Sequence, residues 1–376
     1  MVNENFFNEQ SDGTSVKIKF YKDYIEGYLF KVLMQFGGCM VADLFCGPGK
    51  NGNADGSPLI LLKVAKRILE NTALSKKHKL LTIVILFNDS DKQNIDKLNI
   101  ELAKLTYPSN IKIIQPRSNE FSNIVSEIAK IKTSMPKFFF LDPFTYGDIQ
   151  LAEIKQLMEM QFSEIMLFLP TFFAYRFITS PKNPPKLVNF LNNFTDKGVY
   201  GYSNICEFND SIVNKVRKEL KIKFVQQAMI DVGRTKNSLF LITKHIKAAM
   251  LFNNIFLKET YDGKSLNVSE IKHYEKNLSL FSKSTLLTTD TEYKNCIANF
   301  QDRMLEKLIK EKEMFNTEII EFAVQERCKP MFAKEALLKL KKEGKIRLEY
   351  LEPTKTKGFY ISEDRCEQKL CKIVYL

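Results

Sequence analysis

The chain has 376 residues, 44% of them hydrophobic, and its 56 Lys and Arg outnumber 44 Asp and Glu for a net charge of +12. That length can bury a sizeable core and predicts more than one domain. No apolar run reaches the ~18 residues of a membrane span, and the opening MVNENFFNEQSDGT lacks the charged-then-apolar order of a secretory leader. The expected location is therefore cytoplasmic.

The positive charge favours acidic partners. Residues 301–376 carry 17 basic against 14 acidic side chains, so most of the excess lies in the first 250 residues. Seven cysteines (Cys39, Cys46, Cys206, Cys296, Cys328, Cys366 and Cys371) form no CxxC pair, and the last two have no histidines nearby. Reduced thiols and no metal site are expected.

In chain order, the pattern predicts an opening helix around 17–35 and then alternating strands and helices. CMVADLF (39–45) is a first apolar strand ending in glycines, and Ser57 and Pro58 read as an N-cap and first-turn proline. LLTIVILF (80–87), NIKIIQ (110–115), KFFFLDPF (137–144) and EIMLFLP (164–170) continue the strand series. Amphipathic helices separate them. Strands with little alternation, each followed by a helix, predict a mostly parallel sheet covered on both faces. FVQQAMIDV (224–232) and SLFLITKH (238–245) then flank GRTKN as an antiparallel hairpin. Five βα units closed by such a hairpin is the layout of Rossmann-like methyltransferases, so a domain over 1–250 is expected to take that α/β fold. Residues 251–300 read as a connector. Helices around 301–312, 316–326 and 331–343, followed by two strands within 344–361, predict a winged helix over 301–376.

Asp43-Leu-Phe45-Cys-Gly47-Pro-Gly49 closes the first strand, where open α/β sheets bind ligands. Glycines there admit close backbone approach and positive φ. A dinucleotide fingerprint would set GxGxxG directly on the helix, whereas KNGNADG intervenes here, which disfavours NAD. Asp89, ending the second strand, is placed for the hydroxyls of a ribose, with Asn88 and Asp91 as neighbours; Asp91 fits a helix N-cap better. Ser118 and Asn119 follow the third strand, where an adenine edge would lie. Asp142-Pro143-Phe144 ends the fourth, where a carboxylate can position or deprotonate an amine or hydroxyl nucleophile. DNA amino-methyltransferases use a related run with a second proline. The Pro-Cys pair needed for attack on cytosine carbon is missing.

DLFCGPG, DGSPL, LDPF, the strand-five exit with Arg176, and KHIKAAM together resemble the three-Cys-motif partner proteins. KFYKDYIEGYLFKVL is similar to that family's N-terminal helix, and the likeness runs through essentially the whole chain. The resemblance implies a class I S-adenosylmethionine (SAM) methyltransferase found in phage-defence and mobile-element loci, beside a partner protein with a three-cysteine motif. It implies that Asp43, Phe45, Gly47, Gly49, Ser57, Asn88, Asp89 and Asn119 hold the cofactor and that Asp142, Pro143 and Phe144 face the acceptor. Cys46 stands where that family usually has alanine, and Asn88 where it often has glutamate.

On the substrate side, TFFAYRFITSPKNPPK (171–186) interleaves Phe172, Phe173, Tyr175 and Phe177 with Arg176, Lys182 and Lys186. Stacking rings among cations suit DNA or RNA, and the same rings suit a packed helix start. Arg347, Lys355 and Lys357 extend the basic set to the expected wing. A SAM-dependent methyltransferase acting on nucleic acid is the leading expectation, against a non-catalytic SAM- or nucleotide-binding scaffold.

Overall fold

Six consecutive buried residues, Gly38–Asp43, form β1 near the middle of a seven-stranded sheet. In the computed structural model, which describes residues 12–178, 184–198, 201–232, 235–261, 290–351 and 358–376, the chain divides into two compact units, 1–244 and 245–376.

In the first unit, β1 pairs in parallel with β4 (Thr82–Asn88) and β6 (Lys137–Leu141). β5 (Ile111–Arg117) and β7 (Ser163–Leu169) extend the parallel set outward on either side. The hairpin of β8 (Phe224–Val232) and β9 (Thr235–Thr243) then closes the sheet antiparallel to β7. The spatial order is β5-β4-β1-β6-β7-β9-β8. The predicted antiparallel hairpin is thus present, its second strand beginning at Thr235 rather than Ser238.

Alternation along β6 sends successive phenylalanines to opposite faces. Phe138 and Phe140 meet helix α1 (Asp12–Phe36), whose Tyr21 lies 4.3 Å from the Phe140 ring, with Tyr24 and Tyr28 at 5.6 and 5.1 Å from Phe138. Spacings of three and four residues align these tyrosines as one stripe. Phe139 and Leu141 enter the opposite core with Ile165, Leu167, Phe240 and Ile242. Helices α5 (Phe121–Ile128), α6 (Leu151–Glu159), α8 (Pro185–Phe194) and α9 (Ile205–Leu220) supply its other wall. Burial on both faces explains the near-continuous apolar strands.

After β1, two short strands, β2 (Lys50–Asn51) and β3 (Ala54–Asp55), pair as a miniature hairpin before α2 (Ser57–Leu69). This delays the helix as KNGNADG predicts. The cap of α2 is Gly56, so Ser57 is the first helical residue; a serine whose side chain is turned inside cannot serve the helix end. On the other side, α3 (Thr72–Lys77) leads to β4, and α4 (Lys92–Ala103) is capped by Asp91, whose side chain accepts from Gln93 N.

The second unit contains α10 (Ile246–Tyr261), α11 (Asp290–Glu311), α12 (Asn316–Gln325) and α13 (Pro330–Lys342). A three-stranded sheet orders β10 (Glu313–Phe315), β12 (Cys371–Tyr375) and β11 (Ile346–Tyr350), with both pairings antiparallel. The partner of β11 is Cys371–Tyr375 rather than a segment ending at 361. Helix α10, which the expected boundary at 250 would split between the first domain and the connector, lies whole in this unit. Asn316 explains the longer excursion. Its buried amide donates to Gln368 O at 2.9 Å and accepts from Leu370 N at 2.9 Å, anchoring the segment that returns to the sheet.

Candidate active site at the carboxyl edge of the sheet

The strand order reverses between β1 and β6, the crevice at which open α/β sheets bind ligands. Three acidic residues converge on this edge: Asp43 from β1, Asp89 just after β4 and Asp142 just after β6.

Asp43 is fully buried, and neither carboxylate oxygen has a hydrogen-bond partner. Burial pushes its carboxyl up to about 7, with the Asp142 and Asp89 charges adding to the rise and proximity of Ser57 and the Phe45 amide opposing it. Those two donors are near without meeting hydrogen-bond geometry. The hydroxyl of Tyr21 on α1 is also buried and without a partner, and its ionisation is raised by burial and then by the charge of Asp43. Orphaned buried polar atoms are rare in native proteins and call for an occupant.

The glycine turn divides its labour. Gly47 has φ +62°, and a Cβ there would meet nothing within 4 Å, so the turn opens onto free space. Gly49 has φ +84°, and its Cβ would come 2.9 Å from Leu98 Cδ1 of α4. Gly49 is thus a packing glycine, and only Gly47 leaves room for a ligand. Gly56 N donates to Gly49 O at 2.8 Å, closing the small hairpin. The Phe45 ring packs at a tilt against Phe121, 5.0 Å between centres.

Asp89 pins this turn. Its Oδ2 accepts from Gly47 N at 2.9 Å, and its Oδ1 accepts from Asp91 N at 2.9 Å and Asn94 Nδ2 at 3.1 Å. A carboxylate offers about four acceptor positions, so one remains for a ligand hydroxyl. Asn88 faces inward. Its amide donates to Leu44 O at 3.3 Å and Asn119 O at 3.0 Å, and its Oδ1 accepts from Asn119 N at 3.1 Å. It therefore ties three strand ends together and has no reach to a ribose. Asn119 extends its side chain to Glu127, and Ser118 donates to Ser90 O at 3.3 Å.

Asp142 accepts from the ammonium of Lys17 at 2.6 Å, and that ammonium sits 4.5 Å from the centre of the Phe168 ring. Pro143 is buried while Phe144 is largely exposed. Lys17 and Tyr21, one helical turn apart on α1, are the site residues that local pattern does not disclose. A lysine 125 positions from its partner leaves no spacing to read. The only available signal was the Lys-Tyr-Tyr-Tyr stripe on the first helix.

Beyond β7, the short helix α7 (Thr171–Phe177) exposes Phe173, Arg176 and Phe177, and α8 exposes Lys186. Tyr175 turns inward, its ring 5.9 Å from Phe208. Lys182, Lys355 and Lys357 lie outside the described residues. In the second unit, Arg347 is exposed and paired with Glu349 at 2.6 Å. Among the described residues no group of His, Cys, Asp and Glu is placed to hold a metal, and no helix is long and apolar enough to cross a membrane.

Numbered by chain order, the strands of the large sheet run 3-2-1-4-5-7-6 with the seventh antiparallel. This is the Rossmann-like layout of methyltransferases that the strand pattern predicts. No protein-family model matches the chain, and no curated protein is significantly similar to it in sequence. Among solved structures, the SAH-bound methyltransferase of Podospora anserina aligns over 58% of this chain and 78% of its own, at 11% identity and a TM-score of 0.31. A SAM-dependent methyltransferase from Aquifex aeolicus aligns over 64% and 94%, at 13% identity and a TM-score of 0.29. At these scores the likenesses carry no weight of their own, and the fold assignment rests on strand order and register.

Proposed function

We propose that the chain is a SAM-dependent methyltransferase whose acceptor is carried on nucleic acid. The observation that carries the reading is Asp43, a buried carboxylate without a partner at the strand-order reversal, beneath a turn that Gly47 leaves open. A cationic ammonium with room above it fits that environment, and the methionine end of SAM has one. When bound, SAM supplies the electrophilic methyl group. Asp43 would hold the ammonium, Asp89 would use its remaining acceptor position on a ribose hydroxyl, and Asp142 would orient the acceptor and take its proton. Asn88 is tied to the backbone, which leaves the ribose contact to Asp89 alone.

The exposed Phe173, Arg176 and Phe177, with Lys186, offer rings and cations beside the same edge, and the net charge of +12 agrees with a polyanionic partner. Helices α11, α12 and α13 with a sheet ordered β10-β12-β11 support the winged-helix reading of the second unit, which would then help capture the target. Resemblance to the three-Cys-motif partner proteins extends the proposal to a defence setting with a three-cysteine partner, testable by co-purification. Titration calorimetry of the full chain with SAM, S-adenosylhomocysteine and NAD tests the core of the reading. Binding of the first two without NAD is expected, and no binding by folded protein overturns it.

A second reading, a non-catalytic SAM-binding scaffold, draws on one observation: Asp142 is already engaged by Lys17. Labelled methyl transfer onto mixed DNA, RNA and protein separates the two.

A further inference from the structure

Two lysine ammonium groups in the first unit differ in how they are held. Lys137 is buried and donates to three backbone carbonyls, those of Thr133, Met135 and Gln161, at 2.8–2.9 Å. All three of its N–H donors are used, as expected of a lysine built into the framework. Lys17 contacts one acceptor, Asp142 Oδ2, and one ring face, Phe168. Its side chain keeps 15% of its surface exposed and that of Asp142 keeps 22%, so water reaches the pair. A partly hydrated ion pair with unspent donors is separable.

The place Lys17 occupies has a chemistry of its own. A carboxylate that accepts N–H and an aromatic face that attracts positive charge together select a protonated amine over a neutral hydroxyl or a carbon centre. We propose that Asp142 and Phe168 form the amine subsite of the acceptor pocket, and that Lys17 fills it from within the chain until the acceptor's amino group displaces it. The proposal rests on the methyltransferase part of the proposed function, not on its nucleic-acid part, and adds the acceptor class, an amine that enters protonated and gives its proton to Asp142 before its nitrogen takes the methyl group. Lys17 is then a gating residue: its head must leave before Asp142 can meet the acceptor. Its attachment to α1 makes that departure a swing of the side chain alone.

The test needs no cofactor, so its failure and that of the SAM reading are separable. Full-length Lys17→Ala and Lys17→Ser, checked for folding by circular dichroism, are titrated with n-butylammonium, the lysine side chain in free form, and with n-butanol as an isosteric alcohol. Both variants should bind the amine about tenfold or more tightly than the alcohol, the margin of one charge-assisted hydrogen bond. The wild type should bind neither, since Lys17 fills the place, and adding Asp142→Asn to Lys17→Ala should remove the amine preference. Equal binding of amine and alcohol, or an amine preference that survives Asp142→Asn, overturns the proposal.

Discussion

Asp43 makes a measurable statement about protons. Its carboxyl ordinarily titrates near 3.8 and is pushed up to about 7 by burial. The folded chain therefore holds a proton there that the unfolded chain releases, and stability falls as pH rises from about 4 to about 7. A cationic ligand reverses the preference and expels that proton. Calorimetry near pH 6.5 in buffers of different ionisation enthalpy should record proton release on binding S-adenosylhomocysteine. Asp43→Asn should abolish the release and the binding while raising the melting temperature of the ligand-free protein above pH 7. Gly47 and Gly49 give a second contrast. Alanine at Gly47 should cost about 1 kcal/mol for its left-handed backbone. Alanine at Gly49 carries the same strain and meets Leu98 as well, so thermal melts should rank Gly49→Ala as the more damaging. Both glycines were legible as turn residues. That only one faces open space was not, because Leu98 comes from a helix about 50 residues away and no local pattern encodes its approach.

Among the elements, α1 was legible as a helix, though its length and role were not. Tyr24 donates to Glu164 at 2.9 Å, and burial holds the Glu164 carboxyl at about 7 despite that bond and the Lys31 charge. Because Tyr24 stabilises the charged form, Tyr24→Phe should cost more where Glu164 is ionised. Melting curves should show a larger loss at pH 8 than at pH 5, with a difference on the order of 1 kcal/mol, the margin of a bond to a charged carboxylate over one to a neutral carboxyl. The strands of the large sheet were readable to within about three residues because burial on both faces makes them continuous apolar runs. The β12 strand was misplaced for the opposite reason. CKIVY has one face against the core and follows a polar excursion anchored by Asn316, so neither its length nor its turn announces it.

The molecule as a whole divides into two compact units at Lys244. Scanning calorimetry of the full chain should resolve two transitions, and S-adenosylhomocysteine at a hundred times its Kd should stabilise only the one belonging to 1–244, by about 2.7 kcal/mol. A single transition, or both moving together, would show that the units unfold as one. The order of strands and helices along the chain carries the first unit's architecture on its own. The boundary did not show in composition, since Ile246–Tyr261 is as helical and apolar as the helices of either unit.

Asp89 already holds the Gly47 amide through its Oδ2, while its Oδ1 takes the Asp91 amide and the Asn94 side chain. The cradle is thus shaped before anything enters it, and an arriving ligand spends little of its binding energy on ordering the loop. The consequence is kinetic. Capture should follow a single exponential whose rate climbs linearly with ligand concentration, without the plateau that a slow rearrangement imposes. Cutting the tether with Asp89→Ala should introduce that plateau, so that the loop's own motion sets the pace of capture.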